Sequence, residues 1–338
     1  MQTNNVRTAA DFSLAELQKE TTIGGAGHEK TRAIKQIDLS DFAARKQEIA
    51  DQLWEASTES GFFQLINHGI PQAEIDAAFA MSEKFFAMPN EVKAQYPMLK
   101  GTNSGWEFMA QVRPSTGTAD RKESYQITKP RMQDLYPTEA ECAGFVKLMA
   151  DFECRNWDVG MKVLSCFALK MGFDEAFFTQ RHDPASPEYQ STLRLLHYLP
   201  MEDAKPADFD LWRAGAHTDY DCLTLLHQRA GQGGLQVCPG KEFSSQEWTS
   251  VEPTPGTITC NIGDMLMRWS DDELQSTLHR VRMPKPDEYQ GPRYSIAFFA
   301  QANRDAIVQG PKKKYEPITA MDYLLQRIAA NFAKLEKK

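Results

Sequence analysis

Several features that would indicate other classes of protein are missing from this sequence of 338 residues. No apolar run is long enough to span a bilayer, and the first residues lack the apolar segment of a secretory signal. The 6 cysteines include no Cys-x-x-Cys pair and are too sparse for a disulfide scaffold. These absences predict a cytoplasmic protein with reduced thiols and without a membrane partner.

An excess of positive charge is also missing, since the net charge is −8. The only basic run, Lys312 to Lys314, is short and typical of a solvated loop, so nucleic acid is not an expected partner. The glycine-rich segment Gly231 to Gly234 is not followed by Lys-Ser or Lys-Thr, which argues against a phosphate-binding loop and for a turn. Nothing in the sequence indicates an obligate protein partner either.

Most of the chain is expected to form one domain. Residues 1–33 are polar and contain a glycine cluster, which predicts a flexible arm. Residues 34–338 follow as a single domain, because 41% of the chain is apolar and no low-complexity tract divides it. Within that domain, residues 34–190 are mainly helical, with apolar spacing typical of helices over 42–61, 71–88 and 138–171.

The second half of the chain predicts a β core. Short strand patterns separated by turn residues fill 191–303, at 192–200, 223–226, 235–237, 248–251, 257–262 and 265–269. Such strands fit a jelly-roll of two packed sheets. Residues 304–338 end in an amphipathic helical pattern. The predicted fold is mainly β with flanking helices: a double-stranded β-helix (jelly-roll) core, N-terminal supporting helices and a C-terminal helix.

A metal site is predicted where a histidine and an aspartate begin one of these strands. His217 and Asp219 are two residues apart, so both project from the same face of an extended chain. His279 is the best third ligand, because His227 lies too far along the strand that leaves His217. Two histidines and one carboxylate suit non-haem Fe(II) used for oxygen activation. A Zn²⁺ ion that activates water for hydrolysis is the alternative.

A second pattern indicates what accompanies the metal. Arg293 and Ser295 share a face of a predicted apolar strand, where a buried guanidinium requires an anionic partner. The pair suits a carboxylate, which the guanidinium binds through two hydrogen bonds and the hydroxyl through one. A hydrolase has no evident need for this carboxylate clamp, so the pair indicates a ligand whose carboxylate is anchored away from the metal.

Together these motifs resemble those of the Fe(II)- and 2-oxoglutarate-dependent dioxygenases, in the branch that includes isopenicillin N synthase and plant flavonoid and gibberellin oxygenases. The resemblance rests on His217-x-Asp219, the distal His279 and Arg293-x-Ser295, and it spans most of the chain. Four further stretches carry it, at residues 37–39, 61–69, 233–237 and 261–266. In this family the histidine at position 68 belongs to a fold signature and does not bind metal.

The resemblance implies an oxidoreductase that uses Fe(II), 2-oxoglutarate and O₂, in secondary metabolism. His217, Asp219 and His279 would hold the iron, and Arg293, Ser295 and Tyr198 would bind 2-oxoglutarate. Plant members usually carry asparagine two positions before that tyrosine, where this chain has Leu196. Decarboxylation of 2-oxoglutarate to succinate and CO₂ would accompany hydroxylation, desaturation or oxidative cyclisation at an unactivated C–H bond of a small-molecule substrate.

Residues that contact the substrate are the least defined part of the sequence. Residues 97–130 partly cover the pocket in the resembled family, which brings in Arg113 and Tyr125, and Phe299 could line an apolar wall. Arg121 and Lys122 could meet an acidic substrate. Two other functions stay open at this point: an oxidase like isopenicillin N synthase, which uses O₂ without 2-oxoglutarate, and a binding protein without turnover.

Overall fold

Alternating apolar residues over the second half of the chain form two β-sheets, and helices from the first half cover one of them. The computed structural model describes residues 27–99, 101–112, 119–201, 212–238 and 246–335. Within these ranges the strands β1 to β15 are, in order, His28–Glu29, Gln36–Asp38, Phe62–Ile66, Gly105–Phe108, Lys122–Ile127, Thr192–Tyr198, Ala214–His217, Leu223–Gln228, Leu235–Cys238, Glu247–Ser250, Ile258–Ile262, Leu278–Val281, Arg293–Ala300, Ile307–Val308 and Ile318–Thr319. The helices α1 to α7 are Phe42–Glu59, Gln72–Phe86, Asn90–Lys93, Phe145–Lys170, Phe177–Arg181, Asp264–Trp269 and Ala320–Leu335.

The two principal sheets are formed by strands that are distant in sequence. The larger sheet has the order β2-β3-β11-β8-β13-β6-β5-β4, and the smaller has the order β1-β10-β9-β12-β7. Side chains from both sheets pack together in one apolar cluster that includes Leu196, Leu235, Val281 and Ala297. The sheets therefore face one another as the two halves of a jelly-roll, as predicted.

Helix α4 covers the outer face of the larger sheet. A Cβ atom at Gly160, in the middle of this helix, would lie 3.7 Å from Leu225 and 3.7 Å from Phe298, so the helix backbone approaches the strands closely. Side chains alternate across a strand, so Leu226 and Ala297 project from the opposite, inner face. The helix therefore covers the outer face of β8 and β13, and the inner face of these strands borders the space between the two sheets.

The C-terminal helix α7 is attached to the segment that follows β7. Arg327 on this helix pairs with Asp264 at 2.6 Å, and both side chains are fully buried. The same guanidinium donates a hydrogen bond to Thr218 at 3.2 Å. Because removing either member would leave an uncompensated buried charge, this ion pair holds α7 firmly against the chain around Thr218.

Two local predictions differ from the structure. The run at 265–269 is predicted as a strand but forms α6, in which Met265, Leu266 and Trp269 are buried. Short apolar runs do not distinguish a strand from a buried helical turn, and here Asp264 begins the helix after an extended Gly263. The predicted arm 1–33 is described only from residue 27 onward, and there β1 pairs in parallel with β10.

The predicted helix at 138–171 is shorter than its apolar pattern, because the helix begins at Phe145. Gly144 precedes it with a φ of 76°, a left-handed conformation that favours glycine. None of the helices in the described ranges is both long and apolar enough to cross a membrane.

Candidate metal and cosubstrate site

Strand pairing brings the three predicted metal ligands together at one end of the space between the sheets. His217 ends β7, and His279 lies directly opposite it on the adjacent strand β12. The two rings are 4.3 Å apart between centroids. Asp219, two residues past His217, places its Oδ1 3.9 Å from Nε2 of His217 and 3.7 Å from Nε2 of His279. One ligand atom from each residue lies within 4.8 Å of the others.

Backbone carbonyl groups orient both histidine rings. Nδ1 of His217 bonds to the carbonyl oxygen of Gly215 at 2.7 Å, and Nδ1 of His279 bonds to that of Thr277 at 3.2 Å. A carbonyl oxygen only accepts, so each Nδ1 carries the proton and each Nε2 keeps its lone pair. Those lone pairs face Asp219, which is the arrangement that a metal-binding histidine requires.

The Asp219 carboxylate is fixed through one of its oxygens. Oδ2 accepts hydrogen bonds from the hydroxyl of Thr224 at 2.7 Å and from the amide of Asn261 at 2.8 Å. Thr224 and Asn261 are paired across β8 and β11, so the larger sheet sets the position of the carboxylate. Oδ1 is directed towards the two histidines. The donor set therefore consists of two imidazole nitrogens and one carboxylate oxygen, which suits Fe(II) or Zn²⁺.

Arg293 lies in the same cavity on β13 and is 1% exposed. Its Nε donates to the carbonyl oxygens of Gln232 and Gly233, and Nη2 donates to Gln228 at 3.0 Å. Nη1 reaches the Ser295 hydroxyl at 3.4 Å. Burial lowers the pKa of the Arg293 guanidinium. Across the described ranges no carboxylate forms an ion pair with it, so the charge is available to an anionic ligand.

Tyr198 completes the environment of the guanidinium. It is the cross-strand partner of Arg293, and the centre of its ring lies 4.7 Å from the guanidinium carbon. The neighbouring pair on the same face is Ser295 and Leu196. A cavity of about 440 Å³ is lined by all of these residues together with the three predicted metal ligands. Between its two ends the wall is apolar, with Leu226, Leu235, Val281 and Ala297.

Comparisons with known proteins identify the family. Residues 34–142 match the family described as non-haem dioxygenase in morphine synthesis N-terminal, and residues 189–302 match the 2OG-Fe(II) oxygenase superfamily. The UPF0676 protein C1494.01 of Schizosaccharomyces pombe is 32% identical over 83% of this chain and 87% of its own length. The chain belongs to the 2OG-Fe(II) oxygenase superfamily. It is an oxidoreductase that uses Fe(II), 2-oxoglutarate and O₂.

This oxygenase is also similar to a fungal hydroxylase and to a fungal protein of known crystal structure. The proline hydroxylase buaE of Petromyces alliaceus is 30% identical over 88% of this chain and 99% of its own length. The crystal structure of a full-length Neurospora crassa protein in complex with alpha-KG (2-oxoglutarate) and thymine superimposes with a TM-score of 0.77. It is 30% identical in sequence, and the match covers 92% of this chain and 99% of that chain.

The predicted substrate residues of the oxygenase fall into three groups. Phe299 lines the cavity at the level of Thr224, close to the metal end. Tyr125 does not reach the cavity: its ring packs on Phe85, and its hydroxyl donates to the carbonyl of Leu135 at 2.6 Å. It projects from the outer face of β5, so we do not retain it as a substrate contact. Arg113 lies outside the described residues.

Three other histidines, two of which were not expected to bind metal, have partners elsewhere. His68 accepts a hydrogen bond from the backbone N–H of Ile70 at 3.2 Å, as expected for a turn. His227 bonds to Asn156 on α4 at 2.7 Å, and His197 bonds to Glu123 at 2.8 Å. The sequence did not reveal the roles of Thr224 and Asn261. Thr224 and Asn261 have the strand position needed to meet Asp219, but their partners become visible only with the pairing of β8 and β11.

Proposed function

We propose that His217, Asp219 and His279 bind Fe(II), and that Arg293, Ser295 and Tyr198 bind the far carboxylate of 2-oxoglutarate. One observation carries this proposal: a single cavity contains a two-histidine, one-carboxylate cluster at one end and a buried arginine without an acidic partner in the described residues at the other. A dicarboxylate that chelates a metal through one end and pairs with a cation through the other matches both features.

The residues fit the proposed groups chemically. Metal–ligand bonds of about 2 Å allow one ion to contact Asp219 Oδ1 and either histidine Nε2 at the separations found. Three protein ligands leave coordination positions for a chelating cosubstrate and O₂. When bound, Fe(II) with 2-oxoglutarate and O₂ supplies the oxidising power that cleaves an unactivated C–H bond, with release of succinate and CO₂.

The side chains of the chain itself supply geometry and charge. The carbonyl oxygens of Gly215 and Thr277 hold the histidine rings, and Thr224 with Asn261 holds Asp219. Arg293 is buried, so it neutralises the far carboxylate where the attraction between the two charges is strong. The apolar middle of the cavity excludes water from the space between the metal and the arginine.

This arrangement supports 2-oxoglutarate over two of the three alternatives raised by the sequence. A Zn²⁺ hydrolase would not require the buried Arg293. An oxidase that uses O₂ alone is not favoured, because the Neurospora crassa protein carries alpha-KG in a structure that matches 92% of this chain.

A cavity of about 440 Å³ fits a small-molecule substrate beside the cosubstrate. We also propose a cytoplasmic location, where the thiols of cysteines are kept reduced.

Iron binding by single alanine variants tests the metal site. We expect wild-type protein to bind one Fe(II) under anaerobic conditions, and His217→Ala, Asp219→Ala and His279→Ala to lose tight binding and all 2-oxoglutarate turnover. His28→Ala is the matched control, because that side chain is 69% exposed on β1. Retention of full iron affinity and turnover in any of the three site variants would refute its assignment.

A further inference from the structure

The cavity extends beyond the metal towards the edge of the larger sheet, where its wall changes from apolar to polar. The inner faces of β4, β5 and β6 bring together Glu107, Ser124, Gln126 and Arg194, which lie on adjacent strands. Glu107 and Arg194 both line the cavity. Their chemistry bears on the substrate, because this wall is separate from the Arg293 end proposed for 2-oxoglutarate.

Glu107 is a carboxylate held by neutral donors. Its Oε1 accepts hydrogen bonds from Gln111 at 2.5 Å, from Ser124 at 2.7 Å and from Gln126 at 3.3 Å. No lysine or arginine in the described part of the chain forms an ion pair with it. Three donors to one oxygen fix the orientation of the carboxylate and leave Oε2 as a fixed acceptor on the cavity wall.

Arg194 holds the opposite charge at a fixed position on the same wall. Its Nη2 donates to the Gln126 side-chain oxygen at 2.5 Å, so Gln126 bridges the guanidinium and Glu107. The guanidinium carbon lies 5.0 Å from the centre of the Phe299 ring. Phe299 lies opposite Thr224, which bonds to Asp219. Arg194, the cross-strand partner of Ala297, therefore lies between the middle of the cavity and its metal end. A carboxylate bound to it would leave the rest of the substrate next to the metal.

Glu107 and Arg194 set the charge pattern of this wall. Lys122 also lines the cavity, but it pairs with Asp120 at 2.5 Å. Arg293 is assigned to the carboxylate of 2-oxoglutarate. A ligand with only a negative charge would have to lie near the Glu107 carboxylate, and a ligand with only a positive charge would have to lie near the Arg194 guanidinium. Either arrangement is costly in a partly desolvated cavity, so a ligand with both charges fits the wall best.

We propose that the substrate is a small zwitterion of the amino-acid type, with its ammonium group on Glu107 and its carboxylate on Arg194. This inference rests on the proposed function, because it places the substrate beside the Fe(II) and 2-oxoglutarate site. The carboxylate end binds through charge-assisted hydrogen bonds from the guanidinium. The ammonium end supplies a cationic partner for Glu107. The C–H bond to be oxidised then belongs to the side chain of the amino acid.

A ligand panel with charge-deleted analogues tests the proposal. The iron-loaded enzyme with 2-oxoglutarate is assayed for succinate formation and product mass with each of the standard L-amino acids and with thymine. For the best amino acid, the matched desamino acid and the matched carboxamide are added, because each removes one charge. We expect the amino acid to be preferred over both analogues by about 10-fold or more in kcat/KM, the size of one charged hydrogen bond.

Two variants then separate recognition from folding. Glu107→Gln should raise the KM for the amino acid about 10-fold and narrow its preference over the desamino acid, while its preference over the carboxamide is kept. Arg194→Gln should narrow the preference over the carboxamide and keep the preference over the desamino acid. Glu59→Gln, an exposed change at the end of α1, is the charge-matched control for Glu107→Gln. A general loss of structure would lower activity with all ligands and would not produce the crossed pattern.

The outcomes distinguish this inference from the function on which it rests. If wild-type enzyme forms the Fe(II)–2-oxoglutarate complex but responds to thymine or to a desamino acid and to no amino acid, the zwitterion is wrong and the oxygenase site stands. If each variant loses the preference over the desamino acid and the preference over the carboxamide to the same extent, the assignment of the ammonium group to Glu107 and of the carboxylate to Arg194 is wrong. If no Fe(II)–2-oxoglutarate complex forms in the wild type, the proposed function itself fails.

Discussion

Replacing Arg293 by lysine or glutamine should weaken 2-oxoglutarate binding while leaving iron in place. The guanidinium is 1% exposed, and the Ser295 hydroxyl lies 3.4 Å from its Nη1. Lysine keeps the positive charge but has no planar fork, so at least one hydrogen bond to the far carboxylate is lost. Glutamine removes the charge and leaves that carboxylate buried without a counter-ion.

The structure sets the expected size of both effects. A hydrogen bond to a charged group contributes about 1.5–3 kcal/mol, and a tenfold change in affinity corresponds to about 1.4 kcal/mol. Arg293→Lys should therefore raise the Kd for 2-oxoglutarate about 10-fold to 100-fold. Loss of one partner from a buried ion pair costs about 3–5 kcal/mol, so Arg293→Gln should raise the Kd by at least about 100-fold.

The assay is 2-oxoglutarate-dependent succinate formation, together with anaerobic binding of 2-oxoglutarate to the iron-loaded protein. Arg280→Lys is a matched control, because Arg280 is also buried on a strand but stacks on Trp248, 3.8 Å from its ring centre, and does not line the cavity. The control should lose stability and keep the Kd for 2-oxoglutarate within about twofold of wild type. A Kd for Arg293→Gln within about twofold of wild type would refute the clamp.

Three other predictions follow from the described contacts. Thr224→Val removes one of the hydrogen bonds that hold Asp219, and should weaken Fe(II) binding about 10-fold in an anaerobic titration. Arg327→Met leaves Asp264 buried without its partner, and should lower the free energy of unfolding in urea by about 3–5 kcal/mol. Burial lowers the pKa of His227 from 6.5 to about 3, so the unfolded chain binds more protons between those values. The free energy of unfolding should then decrease by about 1.4 kcal/mol for each unit by which the pH is lowered below 6.5. His227→Gln should lack this contribution when urea unfolding is compared at about pH 7 and about pH 5.

Each of these has an outcome that would contradict it. Unchanged iron affinity in Thr224→Val would show that Asn261 alone holds Asp219. A loss below about 1 kcal/mol in Arg327→Met would show that the pair with Asp264 is compensated by water. If the free energy of unfolding depends on pH identically in His227→Gln and in wild type, this histidine is protonated in the folded protein.

Short strand patterns separated by turn residues were sufficient to predict the jelly-roll, because the residues that form each of β6, β8, β11 and β13 are contiguous in the sequence. The three metal ligands could also be located, since His217 and Asp219 are two residues apart on a strand. The order of strands in each sheet could not be predicted. That order depends on long-range pairing, and it alone places Asn261 beside Asp219.

The substrate end was the least predictable part for the same reason. Tyr125 and Gln126 are adjacent in sequence, yet Tyr125 faces the core and Gln126 bonds to Arg194, which lines the cavity. A shift of one residue in register would exchange them. Glu107 gave no signal, because a glutamate in a segment rich in turn residues is usually solvated. Its role depends on β4 pairing with β5, which brings Ser124 and Gln126 to its carboxylate.

The central claim is that one cavity holds Fe(II) on His217, Asp219 and His279 and anchors 2-oxoglutarate on Arg293. The most direct test is an anaerobic titration of metal-free protein with Fe(II) and then 2-oxoglutarate, monitored by visible absorption. The account predicts a weak charge-transfer band that appears only with both components and is lost in Arg293→Gln at cosubstrate concentrations that saturate the wild type. Iron binding without this band would contradict the cosubstrate site, and failure to bind iron would contradict the metal site.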